Sequence, residues 1–102
     1  MPADPRQFDV FRLPNGAHVV VVQNDLLDEA ATRVVAPLYP VGSAGRGLRS
    51  LNPEIAWGSE PHVLMAQLLA TLTKAELGER VGDVVHERDA VVRAIDALLS
   101  GI

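Results

Sequence analysis

Cysteine is absent from this 102-residue chain. Its absence excludes a disulfide framework and a thiolate metal site, and it fits a reducing compartment, with the cytoplasm as the expected location. Aromatic residues are few, with one Trp, one Tyr and two Phe, so the core has to be assembled from Val, Leu, Ile and Ala. No apolar run approaches the roughly 18 residues of a membrane span, and no basic segment leads into an apolar stretch at the start. A soluble protein without an export signal is expected. Cations are scarce too: nine Lys and Arg stand against thirteen Asp and Glu, for a net charge of -4, and only Arg46 and Arg49 lie close together. A DNA-binding face has to displace phosphate counterions with clustered cations. Direct DNA binding is therefore not expected, and a protein partner is.

Catalytic patterns are missing as well. His18, His62 and His86 are far apart, and no HxxxH or HExxH spacing sets two ligands on one helical face. Ser43, Ser50 and Ser59 stand outside any Gly-x-Ser-x-Gly elbow. The acidic pairs Asp28-Glu29 and Glu87 with Asp89 sit in polar surroundings that favour solvated carboxylates. Gly42, Gly45 and Gly47 lack the Gly-Lys-Ser/Thr ending of a nucleotide cradle. No catalytic residue, metal or cofactor is expected, and the protein is read as a binder, not an enzyme.

What is present fits one domain over residues 1–102, with 1–6 disordered. "FDVFRLP" and "AHVVVVQ" flank Asn15-Gly16, a dipeptide suited to the positive φ angles of a tight hairpin turn. "TRVVAPL" reads as a third strand that Pro37 should end or place at an edge. The segment "YPVGSAGRGLRSLNPE" reads as a long loop, because its Gly and Pro residues deny a regular element. "PHVLMAQLLATLTKAELG" has helical propensity, with Val63, Leu64, Leu68 and Leu72 near helical spacing. From Val84 to Leu99 an apolar stripe at three- and four-residue intervals predicts an amphipathic helix, with Asp83 as its cap. Gly101 suits the left-handed position after the helix, which would let Ile102 fold back in a Schellman ending. Trp57 has two readings, a partner hot spot or a barrel-closing core residue.

Three stretches carry a resemblance: "VVQNDLLDEAATRVVAPL", "LNPEIAWGSE" and "LGERVGDVVHERDAVVRAIDALLSGI". Within them Gly78-Glu79-x-Val81, His86, Ala94-Ile95 and Gly101-Ile102 fall in register to the last residue. From Phe8 to Ile102 the chain resembles the CcdB toxins of ccd toxin–antitoxin systems. The resemblance implies a mainly β fold with one C-terminal helix, an SH3-like antiparallel barrel of the CcdB type with a three-stranded wing. It makes residues 61–72 strand, against local propensity. It further implies a homodimer that binds the A subunit of DNA gyrase, traps it on cleaved DNA, and is neutralised by an antitoxin of the CcdA type. The gyrase contact carries over to Leu26, Leu27, Asp96, Leu99, Ser100, Gly101 and Ile102, and gives a reason for the chain to stop where it does. Two of these depart from the family. Ser100 stands where the family has a Trp anchor, and Asp96 where it has an Asn. A dimeric binder that meets its antitoxin without poisoning gyrase is the alternative. A ribonuclease of the MazF type, which resembles the same barrel, ranks last because its characteristic opening, a Gly-Asp-aliphatic start with a Pro-rich loop, is absent.

Overall fold

The structure is a computed structural model that describes residues 4–43, 48 and 50–101. Expectations placed on Gly45, Arg46, Gly47, Arg49 and Ile102 lie outside the described residues. Strands β1 (Asp9–Arg12) and β2 (His18–Val21) pair antiparallel, with Arg12 opposite His18. Their hairpin forms as expected, but with a different turn. The Gly16 N–H donates to the Leu13 carbonyl at 2.8 Å, and the Ala17 N–H donates to Asn15 Oδ1 at 2.9 Å. Gly16 alone in this turn takes a positive φ, 90°. Pro14, with its fixed φ, suits the first central position, so the reversal runs from Leu13 to Gly16 and the glycine becomes the residue that follows the turn.

Strand β3 (Thr32–Pro40) runs straight through Pro37, where the sequence predicts an end or an edge. One side of β3 pairs with β2 from Val35 to Leu38. The other side pairs first with β6 (Ala70–Thr73) and then with β5 (Glu60–Leu64). The Val34 carbonyl accepts from Val22 N–H on the β2 side, so Pro37, of opposite parity, faces the other side. It falls where β3 passes from β6 to β5, and its carbonyl takes the Met65 N–H at 2.9 Å. The missing proline donor costs no ladder bond there.

The segment of helical propensity is two strands, β5 and β6, joined by the 3-10 turn Ala66–Leu68, as the family resemblance implies. A helix would present its leucines on one stripe. Here Leu64 and Ala66 enter one core cluster, while Leu72 and Leu77 pack in another. Burial on two sides overrides propensity. The expected loop is shorter at both ends, since Tyr39 and Pro40 belong to β3 and Glu54 opens β4 (Glu54–Trp57). Buried Asn52 ties its floor, accepting from Leu48 N–H and donating to the Leu64 carbonyl.

Strand β7 (Glu79–Asp83) completes a seven-stranded antiparallel sheet in the order β4-β5-β3-β2-β1-β7, with β6 beside β3, curled into a half-barrel. Val10, Val20, Leu38, Ile55 and Leu64 fill its inside beneath helix α1 (Arg88–Ser100), which contributes Val91 and Ala94. Phe11, Val19, Val21, Val35 and Leu77 form a second core on the opposite face. The unbroken valine run of β2 follows from burial on both faces. Val84 is fully buried and its N–H donates to the Phe8 carbonyl, but with φ -125° and ψ 36° its backbone has already left the strand. A 3-10 turn, Val85–Glu87, comes next; Val84 stands at its N-cap without a side-chain cap bond, and Asp83 Oδ1, one residue earlier, accepts from Val85 N–H at 3.1 Å. Asp83 therefore does not cap the helix as expected: α1 begins only at Arg88, with Glu87 at its N-cap.

At the other end of α1, Gly101 adopts φ 74° and ψ 18°, and its N–H donates to the Ala97 carbonyl at 3.2 Å. That bond defines the simple left-handed helix ending, whereas the Ile102 half of a Schellman motif lies outside the described residues. The lead segment read as disordered is bound from Asp4 onward: Lys74 pairs with Asp4, and Arg33 Nε donates to the Pro5 carbonyl.

The edges β4 and β7 meet through Trp57. The Trp57 ring lies so close over Gly82 that a Cβ there would come 2.6 Å from the indole. Beside it, the Ala56 N–H donates to Glu87 Oε2 at 2.9 Å and the Ala56 carbonyl accepts from His86 Nε2 at 3.0 Å. Of the two readings of Trp57, the barrel-closing one matches this position. Gly82→Ala should lower stability by about 1–3 kcal/mol through overpacking, and by clearly less in a Trp57→Ala background. A double-mutant cycle by urea denaturation measures the difference, and additive costs would show that the indole does not close the barrel.

Candidate functional site

The turn after β2 is built to hold two leucines outward. Asn24 Oδ1 accepts from Leu26 N–H at 2.8 Å and caps the 3-10 turn Asp25–Leu27. Asp25 accepts from Gln7 N–H at 2.8 Å and pairs with Arg6. Gln23 Nε2 donates to the Leu27 carbonyl at 3.2 Å and to the Thr32 carbonyl at 3.3 Å. With the backbone held, Leu26 is 84% exposed and Leu27 59%. Solitary exposed leucines need no explanation, but a pair on a fixed turn is a contact surface in waiting.

Arg33 sets the base of this turn from the inside. It is 2% exposed, and its guanidinium donates to the carbonyls of Ala30 (2.8 Å), Thr32 (2.9 Å), Asp28 (3.2 Å) and Pro5 (3.2 Å). A charge buried on carbonyl dipoles ties the turn to both β3 and the lead segment. Arg33, Gln23 and Gln7 escaped the list of candidate residues. The available signal was an arginine inside the β-branched run "TRVVAPL", where only a partnered charge is tolerated.

The second part of the surface is the outer face of α1. Asp96 and Ser100 are exposed, Leu99 is 71% exposed, and the Ser100 hydroxyl donates to the Asp96 carbonyl at 2.7 Å. Asn24 and Asp96 both line a notch of 190 Å³, together with Gln7, Val22, Val91, Val92 and Ile95. The structure therefore brings Asn24, the cap of the Leu26-Leu27 turn, and Asp96 to one notch, with Leu99 three residues further along the helix. Gly101 borders a larger groove on the other side of α1, with Ala90, Arg93, Ala94 and Ala97. Ile102 lies outside the described residues.

The three histidines stand apart from this surface. His62 Nδ1 donates to the Glu60 carbonyl and His86 is spent on Ala56. Half-buried His18 sits 6.2 Å from the Trp57 ring, and desolvation holds its pKa below the ordinary 6.5, with the charges of His62 and Arg12 adding to the effect. Among the described residues no three His, Cys, Asp or Glu gather as a metal site, and no helix is long and apolar enough to cross a membrane.

The described residues form a mainly antiparallel sheet curled into a half-barrel with one C-terminal helix. The chain belongs to the CcdB family: the family model described as CcdB protein matches residues 7–101. This membership supports a toxin of a toxin–antitoxin system. Among solved structures the chain is similar to an endoribonuclease from a mycobacterial species, with 22% identity, a TM-score of 0.75, and coverage of 95% of this chain and 92% of that one. It is also similar to an endoribonuclease in complex with its cognate antitoxin from a mycobacterial species, at 22% identity and a TM-score of 0.76, covering 93% and 94% of the two chains. A third is the Mycobacterium tuberculosis toxin MazF-mt6, at 19% identity and a TM-score of 0.68, covering 89% and 93%. At such identities the likeness establishes the shared fold.

Two outcomes follow from this geometry. Arg33→Met should destabilise the protein by about 3 kcal/mol, the scale of one or two hydrogen bonds to a buried charge, as read by urea denaturation; an unchanged midpoint would show that the turn stands without it. Because the folded pKa of His18 is lowered, the unfolded chain takes the proton first as pH falls below 6.5. The stability present above that value should decline as the pH falls below it, and His18→Gln should remove part of the slope. Equal slopes for the two proteins would rule this out.

Proposed function

We propose that this protein is the toxin of a type II toxin–antitoxin system that binds the A subunit of DNA gyrase and traps it on cleaved DNA. It acts in the cytoplasm as a homodimer, by binding alone, and an antitoxin of the CcdA type neutralises it. The observation that carries the reading is the CcdB family match through Gly101, together with a held surface at the family's contact positions Leu26, Leu27, Asp96 and Leu99. Contact with DNA runs through the partners. Of the nine cations, Arg6, Arg12, Lys74 and Arg80 pair with Asp25, Glu79, Asp4 and Asp9, and Arg33 is buried. Too few remain among the described residues to replace phosphate counterions.

One observation favours a second reading, an antitoxin-binding dimer that no longer poisons gyrase. Ser100 offers almost no apolar area, and its hydroxyl turns back onto the Asp96 carbonyl. A buried aromatic anchor typically carries a few kcal/mol of an interface. Plasmid cleavage with the gyrase of the source organism separates the two readings. Linear DNA from the natural protein is the expected outcome for a poison. Linear DNA only with Ser100→Trp would mean an intact but disarmed scaffold, and cleavage with neither would leave the binding dimer. Digestion of a defined RNA by the purified protein would instead establish a ribonuclease.

A further inference from the structure

The notch beside the Asn24 turn has a chemistry of its own. Its walls, Val22, Val91, Val92 and Ile95, are apolar, and Asp96 at the rim is the one formally charged residue that lines it. The Gln7 amide at its base is already engaged, donating to the Val22 carbonyl at 3.1 Å. The Asn24 side chain is held by its bond to Leu26 N–H. Among the described residues no Lys or Arg lies within ion-pair distance of Asp96. Exposed Leu26 is bonded through its N–H to notch residue Asn24, with exposed Leu27 next to it, and exposed Leu99 follows Asp96 by three residues in α1, so a partner that covers these leucines reaches Asp96 as well.

Covering a carboxylate without a counter-charge carries a desolvation cost that an apolar partner side chain cannot offset. An acidic one would add repulsion. A long basic side chain satisfies both parts of the cavity, because its methylene stem lies along apolar walls while its head stays at a polar rim. Resting on the reading of this face as the partner-binding surface, we infer that the notch receives a Lys or Arg side chain of the protein partner, with its cationic head on the Asp96 carboxylate. The partner segment then carries apolar residues for Leu26, Leu27 and Leu99 next to one cation. Asp96, by excluding acidic and neutral side chains, acts as a specificity determinant of the interface.

The test uses the full chain and a small probe, n-butylguanidinium chloride, followed by amide and methyl NMR shifts. Saturable shifts are expected at Asn24, Val92, Ile95 and Asp96, with little response to sodium hexanoate or to uncharged n-pentylurea. Asp96→Asn, an exposed substitution whose fold the spectrum itself reports, should weaken the butylguanidinium response about three- to fivefold, the ratio of a partly exposed ion pair. An unchanged response in Asp96→Asn, an equal response to hexanoate, or shifts confined to Asp28 and Glu29 would each overturn the inference. The probe reports on the notch alone, so loss of gyrase cleavage leaves this result standing, and failure here leaves the gyrase result untouched.

Discussion

Everything in this fold depends on closing a curled sheet whose path of strands ends at β4 and β7. An antiparallel sheet curled around a small aliphatic core exposes unpaired backbone at its first and last strands, here β4 and β7. Among the described residues no eighth strand joins them. The Trp57 indole bridges them over the bare backbone of Gly82, and the side chains of Glu87 and His86 take the places of a neighbouring strand's carbonyl and amide at Ala56. One large residue and two polar ones thus do the work of a strand. In a chain with a single Trp, that use explains why the residue is half-buried beside the core instead of standing on the binding face.

The same closure sets the helix. The 3-10 turn that carries His86 and Glu87 fixes where α1 starts, and Val91 and Ala94 then seal the inside of the barrel. Burying a side chain such as Val91 contributes about 1.5–3 kcal/mol, which secures one side of the helix and leaves the other for display. Val92, Asp96 and Leu99 occupy that outer side. The facing turn is secured by different means, the carbonyl ligands of Arg33 and the amide of Gln23. A surface held by hydrogen bonds on one side and by packing on the other loses little conformational entropy when it binds, which favours affinity without large area.

The two departures from the CcdB pattern, Ser100 and Asp96, lie four residues apart and share a hydrogen bond. One removes apolar area and the other adds charge. Together they leave this helix face less apolar and more acidic than the resemblance implies. A surface of that kind gains specificity and association rate more readily than raw affinity.

Local chemistry made several features legible in the sequence. The β1–β2 hairpin, the strand through "TRVVAPL", the amphipathic period of α1 and the left-handed Gly101 all follow from the residues at those positions. The register of "LGERVGDVVHERDAVVRAIDALLSGI" pointed to the family that the match over residues 7–101 shows. Other features depended on residues distant in sequence. Residues 60–73 became strands because the chain needs apolar burial on two sides there, which propensity does not encode. Pro37 sits inside a strand because two different partners leave a gap beside it. Trp57 was resolved by Gly82, and the notch between Asn24 and Asp96 exists only because the segment after β2 and helix α1 line one cavity. The sequence by itself determined periodicity, turns and charge, which act over a few residues. The tertiary structure decided which side chains share a cavity, because cavities are made by elements whose separation along the chain carries no local signal.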